Sequence, residues 1–265
     1  MKKILITGST DGIGKLAAIK LAKEGHKIYL HGRYRNKLNA CIQEVIQASG
    51  NENISGFVAD LSDLNQVKQL AAEINNQIDV LDVLINNAGV YNTEMAKNDK
   101  GLDLRMMVNY LAPVFLTSGI LSLLKQSSHS RVINLSSAAQ APVDLAVLTG
   151  RIAVSEQQAY AQSKLALTMW SFHLAKQEPE LNVIAVNPGS LLQTKMAMEA
   201  FGNYWSPADK GADILVDLST SPAYKNHTGK YYDNDSGNFN QAHPDAYDAS
   251  KIEELITTTQ TLLNQ

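Results

Sequence analysis

Two residues with acid–base side chains, Tyr160 and Lys164, stand four positions apart in the chain. In a helix this spacing places both side chains on one face, close enough to interact. A tyrosine titrates near pH ~10, and a neighbouring ammonium favours the phenolate and so lowers that pKa. A phenol tuned in this way can donate a proton to a carbonyl or accept one from an alcohol. The same spacing also occurs where a half-buried tyrosine packs beside a solvated lysine, so the pair needs support from the rest of the chain.

A glycine-rich turn near the start of the chain predicts a dinucleotide site. An apolar stretch from Lys3 to Thr7 leads into the turn, and a helical pattern that ends at Gly25 follows it. A strand, a glycine turn and a helix in this order are the context that a dinucleotide fingerprint requires. The helix N-terminus then offers unpaired N–H groups to a pyrophosphate. The residues of the turn are Gly8, Ser9, Thr10, Asp11, Gly12, Ile13 and Gly14.

The end of the second predicted strand, 26–31, carries the residue type that selects the cofactor. An acidic side chain there would accept hydrogen bonds from the adenosine ribose and repel a 2′-phosphate. The sequence instead places Arg33 and Arg35 at this point, without a carboxylate. An arginine can pair with a phosphate through charge-assisted hydrogen bonds. The sequence therefore favours NADP over NAD, although solvated arginines at a strand end would look the same.

The elements that must position these residues alternate between strands and helices. Strands are predicted at 3–7, 26–31, 54–59, 81–85, 131–135, 182–186 and 230–232, and helices at 16–22, 36–49, 62–78, 101–125, 160–176, 208–218 and 247–263. Ser62 is the expected N-cap of the third helix. Alternation of this kind predicts a single-domain α/β fold, a Rossmann-type doubly wound parallel sheet with helices on both faces.

Polar residues cluster where these strands end, which is the edge where such sheets bind ligands. Asn86, Asn87, Ala88 and Gly89 follow the fourth strand, and an Asn pair there can hold a loop over a cofactor. The long helix contains Asn109 and then Pro113, which predicts a bend. The irregular segment 138–157 is an expected pocket rim. An apolar cluster within 190–210 is interpreted as a substrate lid or as core packing; it comprises Met196, Met198, Phe201, Tyr204 and Trp205.

Composition narrows the class of protein. The chain has 265 residues, 45% of them apolar, and a net charge of −3, which gives no electrostatic footprint for nucleic acid or an anionic membrane. The only cysteine, Cys41, cannot form an internal disulfide, and clustered metal-ligand spacing is absent. The apolar run at the start stops too early for a signal peptide, and no run approaches a membrane span. A cytoplasmic enzyme without a metal is the expectation.

Taken together and in this order, these motifs resemble the short-chain dehydrogenase/reductase family over the whole chain. The branch most similar is the retinol-dehydrogenase-like one, by its Tyr160-Ala-Gln-Ser-Lys-Leu-Ala stretch, by Gly229-Lys230-Tyr231 and by Arg33. That branch usually takes NADP(H). The motifs that carry the resemblance are Thr7-Gly8-(three residues)-Gly12-Ile13-Gly14, Asp60, Asn86-Asn87-Ala88-Gly89, Asn109, Ser137, Tyr160-(three residues)-Lys164 and Pro188-Gly189 with Thr194.

The resemblance implies catalytic roles. Tyr160 is the implied proton donor and acceptor, and Lys164 would lower its pKa and hold the nicotinamide ribose. Ser137, rather than Ser136, would bond the substrate oxygen. Asn109 would hold a water that links Lys164 to solvent. The interval from Ser137 to Tyr160 is longer than usual in the family, so the loop 138–159 is enlarged and leaves the shape of the pocket open.

The resemblance also implies cofactor contacts beyond the glycine turn and Arg33. Asp60 and Leu61 would bracket the adenine, and Thr194 would bond the nicotinamide amide. The remaining contacts implied by the family motifs are Asn87, Ala88, Gly89, Pro188 and Gly189. The expected substrate is a small carbonyl compound or alcohol, apolar by the residues of the 190–210 segment.

Three alternatives stay open at this stage. A catalytically silent NADP-binding sensor or scaffold would share the fold, but such proteins often lack one of the serine, tyrosine and lysine that this chain keeps. A nucleotide-sugar epimerase or dehydratase is disfavoured by the three-residue first gap of the glycine turn and by the short chain. The apolar stretches 111–124 and 160–174 could pair with a second subunit in a homo-oligomer or simply cover the sheet.

Overall fold

The computed structural model describes residues 1–263, without the side chain of Phe201. Within these residues eight strands form one sheet. Their bounds are β1 Lys3–Ile6, β2 Lys27–Gly32, β3 Ile54–Val58, β4 Val83–Asn86, β5 Arg131–Leu135, β6 Asn182–Asn187, β7 Lys230–Asp233 and β8 Asn238–Asn240. The strand order is β3-β2-β1-β4-β5-β6-β7-β8, and β1 to β7 pair in parallel. The order reverses between β1 and β4, so a ligand crevice is expected above these two strands.

Helices cover both faces of the sheet, as the sequence predicts. Their bounds are α1 Gly12–Lys23, α2 Arg35–Ser49, α3 Leu64–Gln77, α4 Leu104–Met106, α5 Ala112–Gly119, α6 Leu121–Lys125, α7 Leu145–Leu148, α8 Glu156–Gln177, α9 Lys195–Phe201, α10 Ala208–Thr220 and α11 Ala249–Leu263. Side chains alternate between two buried clusters along each strand, as in β1, where Ile4 and Ile6 face α1 and α10 while Leu5 faces the cluster of α3, α5 and α8. The fold is therefore a single-domain doubly wound sheet. Among the helices described, none is both long and apolar enough to cross a bilayer.

The sheet does not end at the strand predicted over 230–232. A turn that includes Gly237, with a φ of +71°, reverses the chain, and β8 pairs antiparallel to β7. A short hairpin can only return antiparallel, because a parallel partner needs a crossover connection. The edge of the sheet is thus mixed rather than purely parallel.

The long helix predicted over 101–125 is broken into pieces. It starts at Leu104 after the N-cap Asp103, continues as a π-helical turn over Met107–Leu111, and breaks again at Ile120. Pro113 explains the π-helical turn, because it has no N–H to donate to the carbonyl of Asn109 four residues earlier. The predicted bend is therefore a wider turn centred on Asn109.

Two further boundaries differ from the sequence prediction. Asp63, not Ser62, caps α3, since its carboxylate accepts a hydrogen bond from the amide of Asn65. The segment 138–157 is not wholly irregular, because it contains α7 and the first two residues of α8. Ser155 caps α8 by accepting from the amide of Gln158. The α3 cap differs from the prediction by one residue, and α8 begins four residues earlier than predicted, because helix ends are weakly marked in sequence.

Candidate active site

The glycine turn between β1 and α1 packs directly against the loop after β4. Gly8 has a φ of +60°, and a Cβ there would lie 2.7 Å from the Cα of Ala88. A Cβ at Gly14 would lie 2.4 Å from Nδ2 of Asn87. Glycine is therefore required at both positions, by conformation at the first and by close approach at the second. The turn and the loop form one surface at the carboxyl ends of β1 and β4.

Asn87 is the residue that joins these two loops. Its Nδ2 donates to the carbonyls of Thr7 and Gly8, at 2.8 and 2.9 Å. Asn86 behaves differently, because its buried amide donates across the sheet to Thr117 Oγ1 and Asn134 Oδ1. The sequence predicts that the Asn pair holds a loop. The structure assigns the contact with the glycine turn to Asn87 and gives Asn86 contacts inside the fold.

The surface of the turn carries the other residues predicted to bind phosphate. Asp11 accepts a hydrogen bond from the amide of Gly12 at 2.8 Å and pairs with Lys37 at 3.0 Å. This ammonium is the main cause of the lowered pKa of Asp11. The nearest atom to a Cβ built on Gly12 is the Thr194 methyl at 3.9 Å, so the turn is open toward that residue.

Arg33 is exposed at the end of β2, next to the turn. Gly32 brings the two together, since a Cβ there would lie 2.5 Å from Cγ2 of Thr10. The Arg33 guanidinium is 5.5 Å from the ring centre of Tyr34. Within residues 1–263 no ion pair is found for Arg33. Lys37 is a second cation in this region that the sequence interpretation did not single out.

Asp60 and Leu61 follow β3, the strand that pairs with β2 on the side away from β1. The Asp60 carboxylate accepts from the amide of Ser62 at 2.9 Å, and its own amide donates to Gln66 at 2.9 Å. Leu61 is 4% exposed. The Asp60 side chain therefore shapes the turn before α3 in addition to any contact with an adenine.

Tyr160, Lys164 and Ser137 lie together at the carboxyl end of β5. The Ser137 hydroxyl lies close enough to the Tyr160 phenol to lower its pKa. The ammonium of Lys164 is 5.5 Å from the centre of the Tyr160 ring and donates to the carbonyl of Leu135 at 2.7 Å. Ser136 faces α8 instead, where its hydroxyl bonds Thr168 at 2.7 Å. Ser137 is thus the member of the serine pair within reach of the tyrosine.

Burial controls the pKa values of this group. It lowers the pKa of Lys164 to about 8. Burial also raises the pKa of Tyr160, and the Ser137 hydrogen bond offsets only part of the effect. The sequence interpretation expected Lys164 to lower the Tyr160 pKa, whereas the net shift in the structure is upward and comes mainly from burial. The physical reason is that desolvation of the phenolate outweighs an ammonium that is bonded to a carbonyl 2.7 Å away.

Asn109 sits in the π-helical turn and is fully buried. Its Oδ1 accepts from the amide of Val90 at 2.8 Å, and its Nδ2 donates to the Val90 carbonyl and to Ser163 Oγ, both at 3.0 Å. The Asn109 side chain therefore fastens the chain beyond Gly89 to α8. A Cβ on Gly89 would lie 3.4 Å from Asn109 Oδ1 and 3.5 Å from Lys164 Nζ. These contacts place Asn109, Gly89 and Lys164 around one point.

Pro188, Gly189 and Thr194 belong to the chain between β6 and α9. Thr194 caps α9 by accepting from the amide of Ala197 at 3.2 Å. Met196 lies beside Gly89, with its Cε 3.8 Å from the position of a Cβ there. The 190–210 segment therefore reaches the active-site group. Three apolar side chains of the predicted cluster are exposed, namely Met198, Tyr204 and Trp205. The side chain of Phe201, also predicted to belong to the cluster, lies outside the described part of the structure.

A buried arginine that the sequence interpretation missed, Arg105, holds the loop of Tyr91, whose ring packs against Tyr160. The ring of Tyr91 lies 4.8 Å from that of Tyr160. Arg105, 1% exposed, donates to the Tyr91 carbonyl at 3.1 Å and pairs with Asp103 at 2.8 Å and with Glu156 at 3.1 Å. The guanidinium thereby joins the Tyr91 loop to the first turn of α8. Asp103 is a local partner, but no local motif marks Tyr91 and Glu156, which lie 14 and 51 positions from Arg105.

Comparisons with known proteins agree with this geometry. The family model described as short chain dehydrogenase matches residues 2–205, a range that includes the glycine turn and Tyr160. A protein of Streptomyces sp. (strain C5) designated a candidate daunorubicin C-13 ketoreductase is 32% identical, with 87% of this chain and 82% of the relative covered. Retinol dehydrogenase 12 of Mus musculus is 30% identical, with 87% of this chain and 77% of the relative covered. A protein of Escherichia coli CFT073, described as a candidate short chain dehydrogenase and solved with NADPH, has a TM-score of 0.73 at 27% identity and covers 88% and 96% of the two chains.

Proposed function

Since this chain belongs to the short-chain dehydrogenase/reductase family, in its retinol-dehydrogenase-like branch, we propose that it is an NADP(H)-dependent oxidoreductase. It interconverts an apolar aldehyde or ketone with the corresponding alcohol. The observation that carries the proposal is the placement of the Ser137 hydroxyl beside the Tyr160 phenol, with the Lys164 ammonium 5.5 Å from the ring centre, at the same sheet edge as the glycine turn.

The proposed cofactor contacts follow from the loops described above. The glycine turn and the N-terminus of α1 would hold the pyrophosphate. Arg33 would hold the 2′-phosphate, which favours NADP over NAD, and Asp60 with Leu61 would border the adenine. Asn87, Ala88 and Gly89 would face the cofactor after β4, and Pro188, Gly189 and Thr194 would face the nicotinamide amide. When bound, the nicotinamide supplies the hydride for reduction or accepts it for oxidation.

The proton chemistry belongs to the protein. In reduction, the Tyr160 hydroxyl donates its proton to the carbonyl oxygen of the substrate as the carbonyl carbon gains the hydride. The Ser137 hydroxyl donates a hydrogen bond to the same oxygen and stabilises its developing negative charge. The Lys164 ammonium stabilises the phenolate left on Tyr160, which then regains a proton from solvent. Oxidation of the alcohol runs through the same groups in reverse.

Tyr91 and the 190–210 segment support an apolar substrate. The Tyr91 ring packs on Tyr160, and Met196 lies beside Gly89, so apolar groups as well as polar ones border the reacting group. A retinol dehydrogenase among the relatives is named for an apolar alcohol. We further propose that the 190–210 segment is the lid over this pocket. The buried free thiol of Cys41 is compatible with the cytosol, which we propose as the compartment.

The test is a turnover assay that follows NADPH absorbance with retinal, decanal and 1-tetralone. We expect the wild-type protein to reduce at least one of them. Tyr160→Phe should lower kcat by about a hundredfold or more, the usual range for loss of a general acid. The dissociation constant of NADPH, measured by calorimetry, should change little, because the phenylalanine keeps the ring. Full turnover in Tyr160→Phe would refute the proposed proton donor.

The same assay separates the enzyme from the silent sensor or scaffold. Such a protein would bind NADPH but would oxidise it with none of the carbonyl compounds, whereas the enzyme oxidises it with at least one. The chain has all three of Ser137, Tyr160 and Lys164, which favours an enzyme over a silent sensor or scaffold. Unreacted NADPH with every carbonyl compound would favour the scaffold.

A further inference from the structure

The main chain of Ser137 is held by side chains rather than by the sheet. β5 ends at Leu135, so Ser137 lies beyond the last ladder hydrogen bonds of the strand. Its carbonyl instead accepts two hydrogen bonds, one from the Tyr231 hydroxyl at 3.0 Å and one from Gln140 Nε2 at 2.9 Å. A carbonyl oxygen has two lone pairs, so both are occupied.

Tyr231 contacts Ser137 although the two residues are 94 positions apart in the sequence. It is a β7 residue, 5% exposed, and its side chain also contacts Gln140. Gln140 in turn accepts a hydrogen bond from the amide of His243 at 3.2 Å. The hydrogen bonds therefore link the peptide after β5 to the strand β7 and to the chain before α11.

The position of this carbonyl affects the serine hydroxyl. The amide of Ala139 donates to Ser137 Oγ at 3.1 Å, so the oxygen already has one bond within its own turn. Rotation of the Ser137–Ala138 peptide changes ψ of Ser137 and φ of Ala138, so the turn that brings the next amide, that of Ala139, to Ser137 Oγ is lost and the hydroxyl loses a fixed direction toward Tyr160. Two buried or half-buried donors on one carbonyl prevent that rotation.

We propose that Tyr231 is a positioning residue for the carbonyl chemistry, acting through the main chain of Ser137 to aim its hydroxyl at the substrate oxygen. The inference rests on the proposed function of Ser137. It assigns a role to the tyrosine of the Gly229-Lys230-Tyr231 stretch, which lies outside every cofactor and catalytic contact described above.

The first test needs no substrate. Tyr231→Phe removes the hydroxyl and keeps the ring, and Tyr232→Phe is its matched control. Tyr232 is the next residue of β7, 6% exposed, and its hydroxyl donates to the carbonyl of Gly237 at 2.9 Å. Amide hydrogen exchange should rise about fivefold at 137–141 in Tyr231→Phe, the factor expected for one hydrogen bond. In Tyr232→Phe the rise should be confined to 233–238. Equal exchange at 137–141 in the two variants would overturn the proposal.

The second test measures whether the effect acts through Ser137. With the best carbonyl substrate among retinal, decanal and 1-tetralone, Tyr231→Phe should lower kcat about fivefold and leave the NADPH dissociation constant unchanged. In a Ser137→Ala background the same substitution should change the residual kcat less than about twofold, because the positioned hydroxyl is gone. An equal loss in both backgrounds means a general structural role and overturns the proposal.

A second variant, at the other donor to the Ser137 carbonyl, keeps the proposal testable if Tyr231→Phe does not fold. Gln140→Leu removes the other donor to the same carbonyl from a half-buried position, and it should reproduce the exchange and the kcat effects. If no carbonyl compound is reduced, or if Ser137→Ala keeps full turnover, the proposed function fails. In that case the exchange measurement still decides whether Tyr231 holds Ser137. Turnover that depends on Ser137 but not on Tyr231 or Gln140 leaves the proposed function standing and rejects this inference.

Discussion

His31 should make the stability of the fold depend on pH. The ring is 2% exposed at the end of β2, between the glycine turn and the end of β3. The amide of Gly8 donates to His31 Nδ1 at 3.1 Å, so Nδ1 carries no proton, and Nε2 therefore donates to the carbonyl of Ala59 at 3.1 Å. Burial lowers the pKa of this imidazole to about 4. Protonation would place a charge in the core and break the bond from Gly8.

The size of the effect follows from the two pKa values. The unfolded chain binds the proton near pH 6.5 and the folded chain near pH 4, so the unfolded state gains protons first as pH falls. The stabilisation is therefore present above pH ~6.5 and is lost between there and pH ~4. From pH 7 to pH 5 this one group should reduce the free energy of unfolding by about 2 kcal/mol.

The assay compares the wild-type protein with His31→Gln by urea denaturation at pH 7 and pH 5. Glutamine does not titrate, so the stability difference between the two proteins should shrink by about 2 kcal/mol at the lower pH. His129→Gln removes an exposed histidine and serves as the control. A stability difference that stays constant from pH 7 to pH 5 would refute the assignment of a buried neutral imidazole.

Other predictions concern the cofactor and the lysine. Arg33→Asp should lower the ratio of kcat/KM for NADPH to that for NADH by about tenfold or more, because a charge-assisted bond becomes a repulsion; an unchanged ratio would mean that Arg33 does not read the phosphate. Gly14→Ala should weaken NADPH binding about tenfold in calorimetry, since its Cβ would lie 2.4 Å from Asn87 Nδ2. Gly25→Ala is the control: it strains the backbone at a φ of +80° but has nothing within 4 Å of its Cβ, so it should leave NADPH binding unchanged. Because burial lowers the Lys164 pKa to about 8, kcat/KM for reduction should fall as pH rises through that value; a flat profile from pH ~7 to ~9 would contradict a catalytic Lys164 ammonium.

Local patterns in the sequence predict most of the fold. The glycine turn, the alternation of strands and helices and the polar residues at strand ends each depend on neighbours within a few positions. These patterns place Gly8, Asn87, Ser137 and Tyr160 at one sheet edge, where the structure also has them. The cap at Asp63 and the first turn of α8 were misplaced by a few residues, which is the usual limit of a pattern that has no tertiary contacts to fix the ends.

Contacts between distant parts of the chain could not be predicted. The bond from Tyr231 to Ser137 spans 94 positions, and that from Arg105 to Glu156 spans 51. No periodicity relates such residues, because their proximity results from the strand order and from the packing of helices on the sheet. The π-helical turn is intermediate: Pro113 predicts an irregularity, and only the contacts of Asn109 with Val90 show what the irregularity positions.

The chain by itself determined which chemical groups meet at the end of the sheet: a phenol, an amine, a hydroxyl and an open glycine turn. Residue spacing and strand alternation suffice for that, because both are short-range properties of the backbone. The tertiary structure alone decided how those groups behave. Burial by the surrounding elements raises the pKa of Tyr160, lowers that of Lys164 and keeps His31 neutral, and desolvation is a property of the packed interior rather than of any segment.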